Sequence, residues 1–185
     1  MTALVPTPGQ TVGPFFGYAL PFDRDNELVA RSHPLAVRLH GRVSDGQGRG
    51  VPDAMLELWQ VAPDGSVVQQ PGSLRRDGWT FTGWGRTSTD ADGNYLFTTL
   101  RPGASQPGRA PFFVLAVFAR GLLNRLFTRA YLPDDAEALA DDPLLTSLEP
   151  ERRETIVCRP DEHGYAFDVR LQGDDETVFL RYPGQ

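Results

Sequence analysis

Three histidines, His33, His40 and His163, are the side chains of this sequence best suited to metal or acid–base chemistry. Imidazole sites usually advertise themselves by short spacing on one element, as in H-x-H or H-E-x-x-H. Here the three are far apart, so a metal site within the chain would have to gather them from three distant segments. Each reads more simply as a surface or partly buried histidine. Cys158 is the sole cysteine, which leaves no internal disulfide, no thiolate cage, and no basic partner at a recognisable spacing. No G-x-S-x-G nucleophile elbow is present. Gly46, Gly48 and Gly50 alternate within a turn and do not match a dinucleotide fingerprint. Residue by residue, the chain carries no legible active site.

The elements that would position any site are strands. Leu39 to Gln60, LHGRVSDGQGRGVPDAMLELWQ, reads as two strands around a hairpin turn at Asp45-Gly46. Pro52 sets an extended approach, and Ala54–Gln60 alternates, with Met55, Glu57 and Trp59 on one face and Leu56 and Leu58 on the other. Further strands are expected at Leu35–Val43, Ala54–Val61, Gly83–Thr87, Tyr95–Thr99, Phe112–Ala119, Leu126–Leu132, Tyr165–Leu171 and Thr177–Arg181, with a turn at D-A-D-G-N, Asp90–Asn94. Helix is confined to Asp134–Val157, where Asp134-Asp135, Asp142-Pro143 and Pro150 each open a short turn. Glycine (19) and proline (16) are frequent enough to argue against long helices. Residues 7–17 form an extended or turned arm. Phe112–Phe118 is apolar on both faces and should be covered on both. Trp79, Phe81 and Trp84 beside Arg75-Arg76 suit either a subunit contact or local core. The expected architecture is an all-β, two-sheet β-sandwich with long loops and short helices, one domain over 1–185 with an N-terminal arm of about thirty residues.

Composition narrows the function. Hydrophobic residues make up 40% and charged residues 23%, as in ordinary globular proteins. A net charge of −6 argues against nucleic acid, and an anionic small substrate would need local arginines. There is neither a transmembrane-length apolar window nor a signal-peptide pattern, so a reducing cytoplasm is the expected location.

Motifs spaced along the chain resemble those of the intradiol ring-cleaving dioxygenases. The strand, glycine-rich turn, V-P-x-A and L-E-L-W-Q of residues 39–60 are similar to the segment that opens that family's core. Gly83–Gly103, GWGRTSTDADGNYLFTTLRPG, is similar to its G-R-x-x-T-D-x-x-G-x-Y-x-F run. Arg109–Gly121, RAPFFVLAVFARG, stands where iron-bearing members carry R-P-x-H-I-H-F, and YAFDVRLQGDDETVFL resembles the closing motif. With the Q-T-x-G-P of Gln10–Pro14, the resemblance spans nearly the whole chain. It implies a family that cuts catechols between their hydroxyls with O2 and non-haem Fe(III), held by two tyrosinates and two histidines.

Counted along those motifs, the four ligand positions fall at Val67, Ser105, Phe112 and Val114. Hydrocarbon offers no lone pair, and a serine cannot replace a tyrosinate, so the resemblance implies no catalytic residue and no metal within this chain. Phe112 and Val114 are expected to fill the lost site with hydrocarbon. The pattern is similar to the two-chain, protocatechuate-cleaving members of the family. In those, a β subunit keeps the ligands and a shorter α subunit, having lost them, closes one side of the pocket. A ligand-bearing β partner with Fe(III), a small aromatic acid at the interface, and cleavage to 3-carboxy-cis,cis-muconate are what this resemblance implies. The positions matching the pocket wall of an α subunit are Thr11, Pro14 and Arg129. For Thr11 loop capping competes with that role, for Pro14 a plain turn, and for Arg129 an interface ion pair. Phe15 stands where some α chains have tyrosine. Two other readings stay open: a non-catalytic transthyretin-like binding module, and a self-sufficient intradiol enzyme using Tyr131, Tyr165 or His163 as ligands.

Overall fold

A computed structural model describes residues 13, 16–70 and 76–182. The strands are β1 (Ala36–Ser44), β2 (Met55–Trp59), β3 (Trp84–Ser88), β4 (Asn94–Leu100), β5 (Phe112–Phe118), β6 (Leu126–Tyr131), β7 (Arg159–Asp161), β8 (Gly164–Ala166) and β9 (Val169–Arg170). They form two sheets, one ordered β4-β1-β8-β7 with β9 also on β1, the other ordered β3-β2-β5-β6. The inward side chains alternate along each strand, as a half-buried sheet requires. Leu39, Val43 and Phe97 of the first sheet meet Leu56, Leu58, Phe113, Leu115 and Val117 of the second in one core. Each such burial contributes about 1.5–3 kcal/mol. The two-sheet sandwich expected from strand periodicity is the observed fold.

The hairpin expectation needs correction. The Asp45-Gly46 turn exists: Asp45 Oδ1 accepts from the backbone N–H of Gln47 (2.9 Å) and Arg49 (3.0 Å), and Gly48 supplies the positive φ of 77°. It closes only a local return, in which Val51 N–H bonds Val43 O at 2.9 Å. Asp53, at φ 60°, then redirects the chain, and β2 pairs with β3 and β5 in the opposite sheet rather than with β1. The Asp90–Asn94 turn likewise links strands of different sheets, β3 and β4, with Asp90 Oδ1 accepting from Asp92 and Asn94.

The C-terminal expectations also shift. Tyr165–Leu171 divides into β8 and β9, which lie parallel to β1, and β7 joins β8 antiparallel. Thr177–Arg181 is not a strand; Leu180 alone bridges Phe127. Its alternating T-V-F-L serves the packing of Val178 and Phe179 instead.

The helical region is as the caps predict. Asp135 caps α2 (Ala136–Asp141), Asp142 caps α3 (Pro143–Thr146), and Pro150 opens α4 (Pro150–Glu154). This segment closes a second core around Tyr131, Leu145 and Ile156 at the end of β6. A four-residue helix, α1 (Phe16–Ala19), stands at the edge of the segment expected to be extended or turned. Among the described residues, no helix is long and apolar enough to cross a membrane.

Candidate functional site

The outer face of the β3-β2-β5-β6 sheet carries the site. Alternation puts Phe113, Leu115 and Val117 into the core, so Phe112, Val114 and Ala116 point the other way. Register places Phe112 opposite Tyr131, Val114 between Arg129 and Trp59, and Trp59 beside Trp84. Toward β3 this face is closed by an ion pair: Arg86 Nη2 lies 2.6 Å from Glu57 Oε1, and the guanidinium also covers Trp84 at 5.1 Å. Trp84 stacks on Phe22 (6.0 Å) with Arg76 against both rings. Trp79 is 87% exposed and Phe81 packs on the main core, so the expected tryptophan–phenylalanine cluster does not form.

Toward β6 the face is open. Val67, Ser105, Phe112 and Val114, the positions matched to ligands, all line one cavity of about 260 Å³, together with Trp59 and Gln60. Two loops bring the distant members there. Gly103 approaches so closely that a Cβ on it would lie 2.4 Å from Pro63 O, and Gly83 at φ 67° would put one 2.8 Å from Gln60 O. The polar walls are already engaged: Gln60 Nε2 donates to Leu100 O (2.9 Å), its Oε1 accepts from Thr99 (2.6 Å), and Thr82 accepts from Arg76 (2.7 Å). The expected filling of this site with hydrocarbon is therefore incomplete, because Phe112 and Val114 line a hole rather than close it.

A second cavity of about 350 Å³ shares Ser105 and Phe112 with the first and adds Arg109, Arg129 and Asp142. Arg129 lies with its guanidinium carbon 4.3 Å from the Phe112 ring centroid and donates to Tyr131 Oη at 3.0 Å. Tyr131 in turn donates to Asp142 Oδ1 at 3.1 Å, and that oxygen also accepts from Leu144 N–H and Leu145 N–H. Burial pushes the Tyr131 phenol up to about 12, so Arg129 binds a neutral hydroxyl. The Nε of Arg129 is buried without a partner. Arg129, singled out in the sequence, lines this cavity, and the Tyr131–Asp142 pair behind it had no comparable sequence signal, since Asp142 reads only as a helix cap before Pro143. Thr11 and Pro14, like Phe15, lie outside the described residues.

The candidate metal ligands do not converge. Tyr165 donates to Asp134 (2.8 Å), Tyr131 is engaged with Arg129 and Asp142, and His163 lies edge-on to His40 at 6.2 Å. His40 and His163 thus lie near each other, with Asp161 3.1 Å from His40, while His33 accepts from Leu35 N–H. Among the described residues, no group of three or more histidine, cysteine, aspartate or glutamate side chains is placed to hold a metal ion. Ferric iron needs several anionic or imidazole donors. The cavity's four matched positions offer three hydrocarbon side chains and one hydroxyl, and do not fit it.

Comparison with known proteins adds the lineage. The profile of a family described as Dioxygenase matches residues 11–110. The protocatechuate 3,4-dioxygenase alpha chain of Burkholderia cepacia is 40% identical, over 97% of this chain and 99% of that one. The beta chain from the same organism is 32% identical, over 87% of this chain and 76% of its own length. Among solved structures, the dioxygenase domain of a dioxygenase–carbohydrate-binding protein fusion from Streptomyces sp. SirexAA-E aligns with a TM-score of 0.55. It is 25% identical, over 91% of this chain and 99% of that one. With its two-sheet fold and its ordered motifs, the chain belongs to the intradiol ring-cleaving dioxygenase family.

Proposed function

We propose that this chain is the iron-free, α-type subunit of a protocatechuate 3,4-dioxygenase, and that a ligand-bearing β-type partner carries the Fe(III). One observation carries the proposal. The four positions that the motifs match to ligands gather on a single cavity, as residues of a former metal site would, yet supply one hydroxyl and no other donor. The higher identity to an alpha chain than to a beta chain, 40% against 32%, supports the same assignment.

On this reading the chain contributes shape and charge. Thr11, Pro14 and Arg129 form its wall of the substrate pocket, Pro14 as a rigid apolar surface and Arg129 as a fixed positive charge toward a small aromatic acid. The Phe112 ring and the Tyr131–Asp142 pair fix the Arg129 guanidinium in advance, so little side-chain freedom is lost on binding. The chain itself moves no proton and forms no bond to substrate. The assembly belongs in the cytoplasm, where the lone thiol of Cys158 stays reduced.

The test is reconstitution. The chain expressed alone should show no protocatechuate-dependent O2 uptake, and co-expression with a ligand-bearing β chain should give a co-purifying, active complex. Activity in the lone chain would refute the assignment, as would a β chain whose activity and assembly are indifferent to this one.

A further inference from the structure

We infer that the opposite end of the sandwich carries a binding site for an amphipathic aliphatic carboxylate, a hydrocarbon chain of medium length ending in one anionic group. Strand register separates this end from the iron-ligand positions: Phe112 pairs with Tyr131 at one end of the β5-β6 hairpin, and Val117 with Leu126 at the other. At this second end a cavity of about 460 Å³ opens between the loop after β5 and the segment after β9. Its volume falls in the range of about 300–1,000 Å³ usual for small-molecule sites. Leu122, Leu126, Leu171 and Phe179 line it, each only partly buried and each packed on the main core. The floor is therefore the core's own hydrocarbon, left partly open to solvent. Both walls are held in place. Gly121 at φ 89° and the Leu122 N–H, bonded to Ala119 O at 3.2 Å, turn the loop back onto the core. Across the cavity, Leu180 N–H bonds Phe127 O at 2.7 Å, Thr128 donates to Val178 O at 2.8 Å, and Leu171 N–H bonds Ser44 O at 2.9 Å. A cavity fixed in this way needs little ordering on binding.

The rim supplies the charge. Asn124, Arg125, Glu176 and Arg181 stand around the same cavity. Among the described residues, neither arginine pairs with an acid and Glu176 pairs with no base, although the three share one cavity. The nearby ion pair, Arg170 with Asp175 at 3.1 Å, does not involve them. Arg125 rests its guanidinium carbon 5.0 Å from the Phe127 ring centroid, which steadies the group beside the opening. Two guanidinium groups against one carboxylate leave this rim positive on a chain whose net charge is −6. Guanidinium donors pair with a carboxylate by charge-assisted hydrogen bonds. Both arginines are exposed, so the pairing forms at the solvent edge without burying an unmatched charge. Below them the lining is leucine apart from Phe179, which suits a hydrocarbon chain. A cationic amphiphile would meet two like charges, and a purely polar anion would leave the apolar floor uncovered.

This site rests on the chain alone and stands or falls separately from the subunit assignment. The experiment is calorimetric titration of the full chain with hexanoate and octanoate, and with octylamine as the charge-reversed control. The expected result is a single site that tightens about four-fold for each added methylene, the transfer of one CH2 from water to hydrocarbon. Octylamine should bind at least about ten-fold more weakly than octanoate. Arg125→Gln and Arg181→Gln should each weaken octanoate about three-fold and together about ten-fold, as exposed ion pairs do. Glu176→Gln, which removes the opposing charge, should tighten it. Asn124→Trp, at an exposed position on the rim, should block the opening and abolish binding. Asn124, Arg125 and Arg181 are all exposed, so these variants should unfold at the parent's temperature in the absence of ligand. No saturable heat at millimolar octanoate would overturn the inference, as would hexanoate and octanoate binding alike or octylamine matching octanoate. Binding indifferent to Asn124→Trp and to the double arginine variant would also overturn it, because the ligand would then sit elsewhere.

Discussion

Tyr131→Phe isolates the buried hydroxyl that ties the cationic cavity to the helical segment. The ring is fully buried, tilted against Phe112 at 5.3 Å, and phenylalanine preserves that packing. What is lost is one donation to Asp142 at 3.1 Å and one acceptance from Arg129 at 3.0 Å. Hydrogen bonds to charged groups are worth about 1.5–3 kcal/mol. Asp142 keeps two backbone donors and Arg129 keeps the Phe112 face, so the expected destabilisation is about 2 kcal/mol, at the low end of that range. For a domain of this size that lowers Tm by about 4–8 °C. Urea unfolding at neutral pH should show a lower midpoint with an unchanged slope. The phenol's raised value, about 12, sets the sign of the pH dependence. Its protonated form is the stabilised one, so the contribution is complete below the unfolded tyrosine value of about 10 and lost only as pH rises through the folded value. The difference between variant and parent should therefore be flat from about pH 6 to 9. A change below about 0.5 kcal/mol would show that the hydroxyl does not join Arg129 to Asp142.

Three further outcomes are expected. Gly103→Ala should cost about 1–3 kcal/mol in thermal or urea unfolding, because the new Cβ would meet backbone atoms, Pro63 O at 2.4 Å and Gly65 N at 2.7 Å, that cannot yield cheaply. Cys158, 2% exposed and with its thiol pushed up to about 12 by burial, should resist an aromatic disulfide reagent at about pH 8 and react only after denaturation. The Asp77 carboxylate, held down at about 2 by the Thr80 hydroxyl and by the N–H groups of Thr80 and Trp79, should titrate with that midpoint by NMR. Thr80→Ala should raise it toward the usual aspartate range.

Much of this molecule was legible in its residues, for reasons that are mostly local. The two-residue period of Leu56 and Leu58 against Glu57 and Trp59 survives in the fold because one face of β2 meets the core. Asp135, Asp142-Pro143 and Pro150 mark the helices because capping is a property of adjacent residues. Motif order located the four cavity positions, including Val67, which arrives on a loop with no strand to fix its count. The failures are non-local. Nothing in residues 39–60 shows that Asp53 adopts a positive φ and sends β2 into the other sheet. Thr177–Arg181 alternates like a strand, yet whether it finds an edge to pair with depends on β6, fifty residues away, and only Leu180 does. The second cavity was hidden because Arg129 and Asp142 meet through Tyr131, across a helix cap and a strand end.

On the proposed assignment, this chain shapes an iron site without holding the iron. The most direct test of that assignment is metal content by plasma emission, measured on the lone chain and on the complex purified with a ligand-bearing β chain. No iron above background is expected in the lone chain, and iron in the complex is expected in proportion to the β chain. Stoichiometric iron in the lone chain would contradict it and require donors other than Val67, Ser105, Phe112 and Val114.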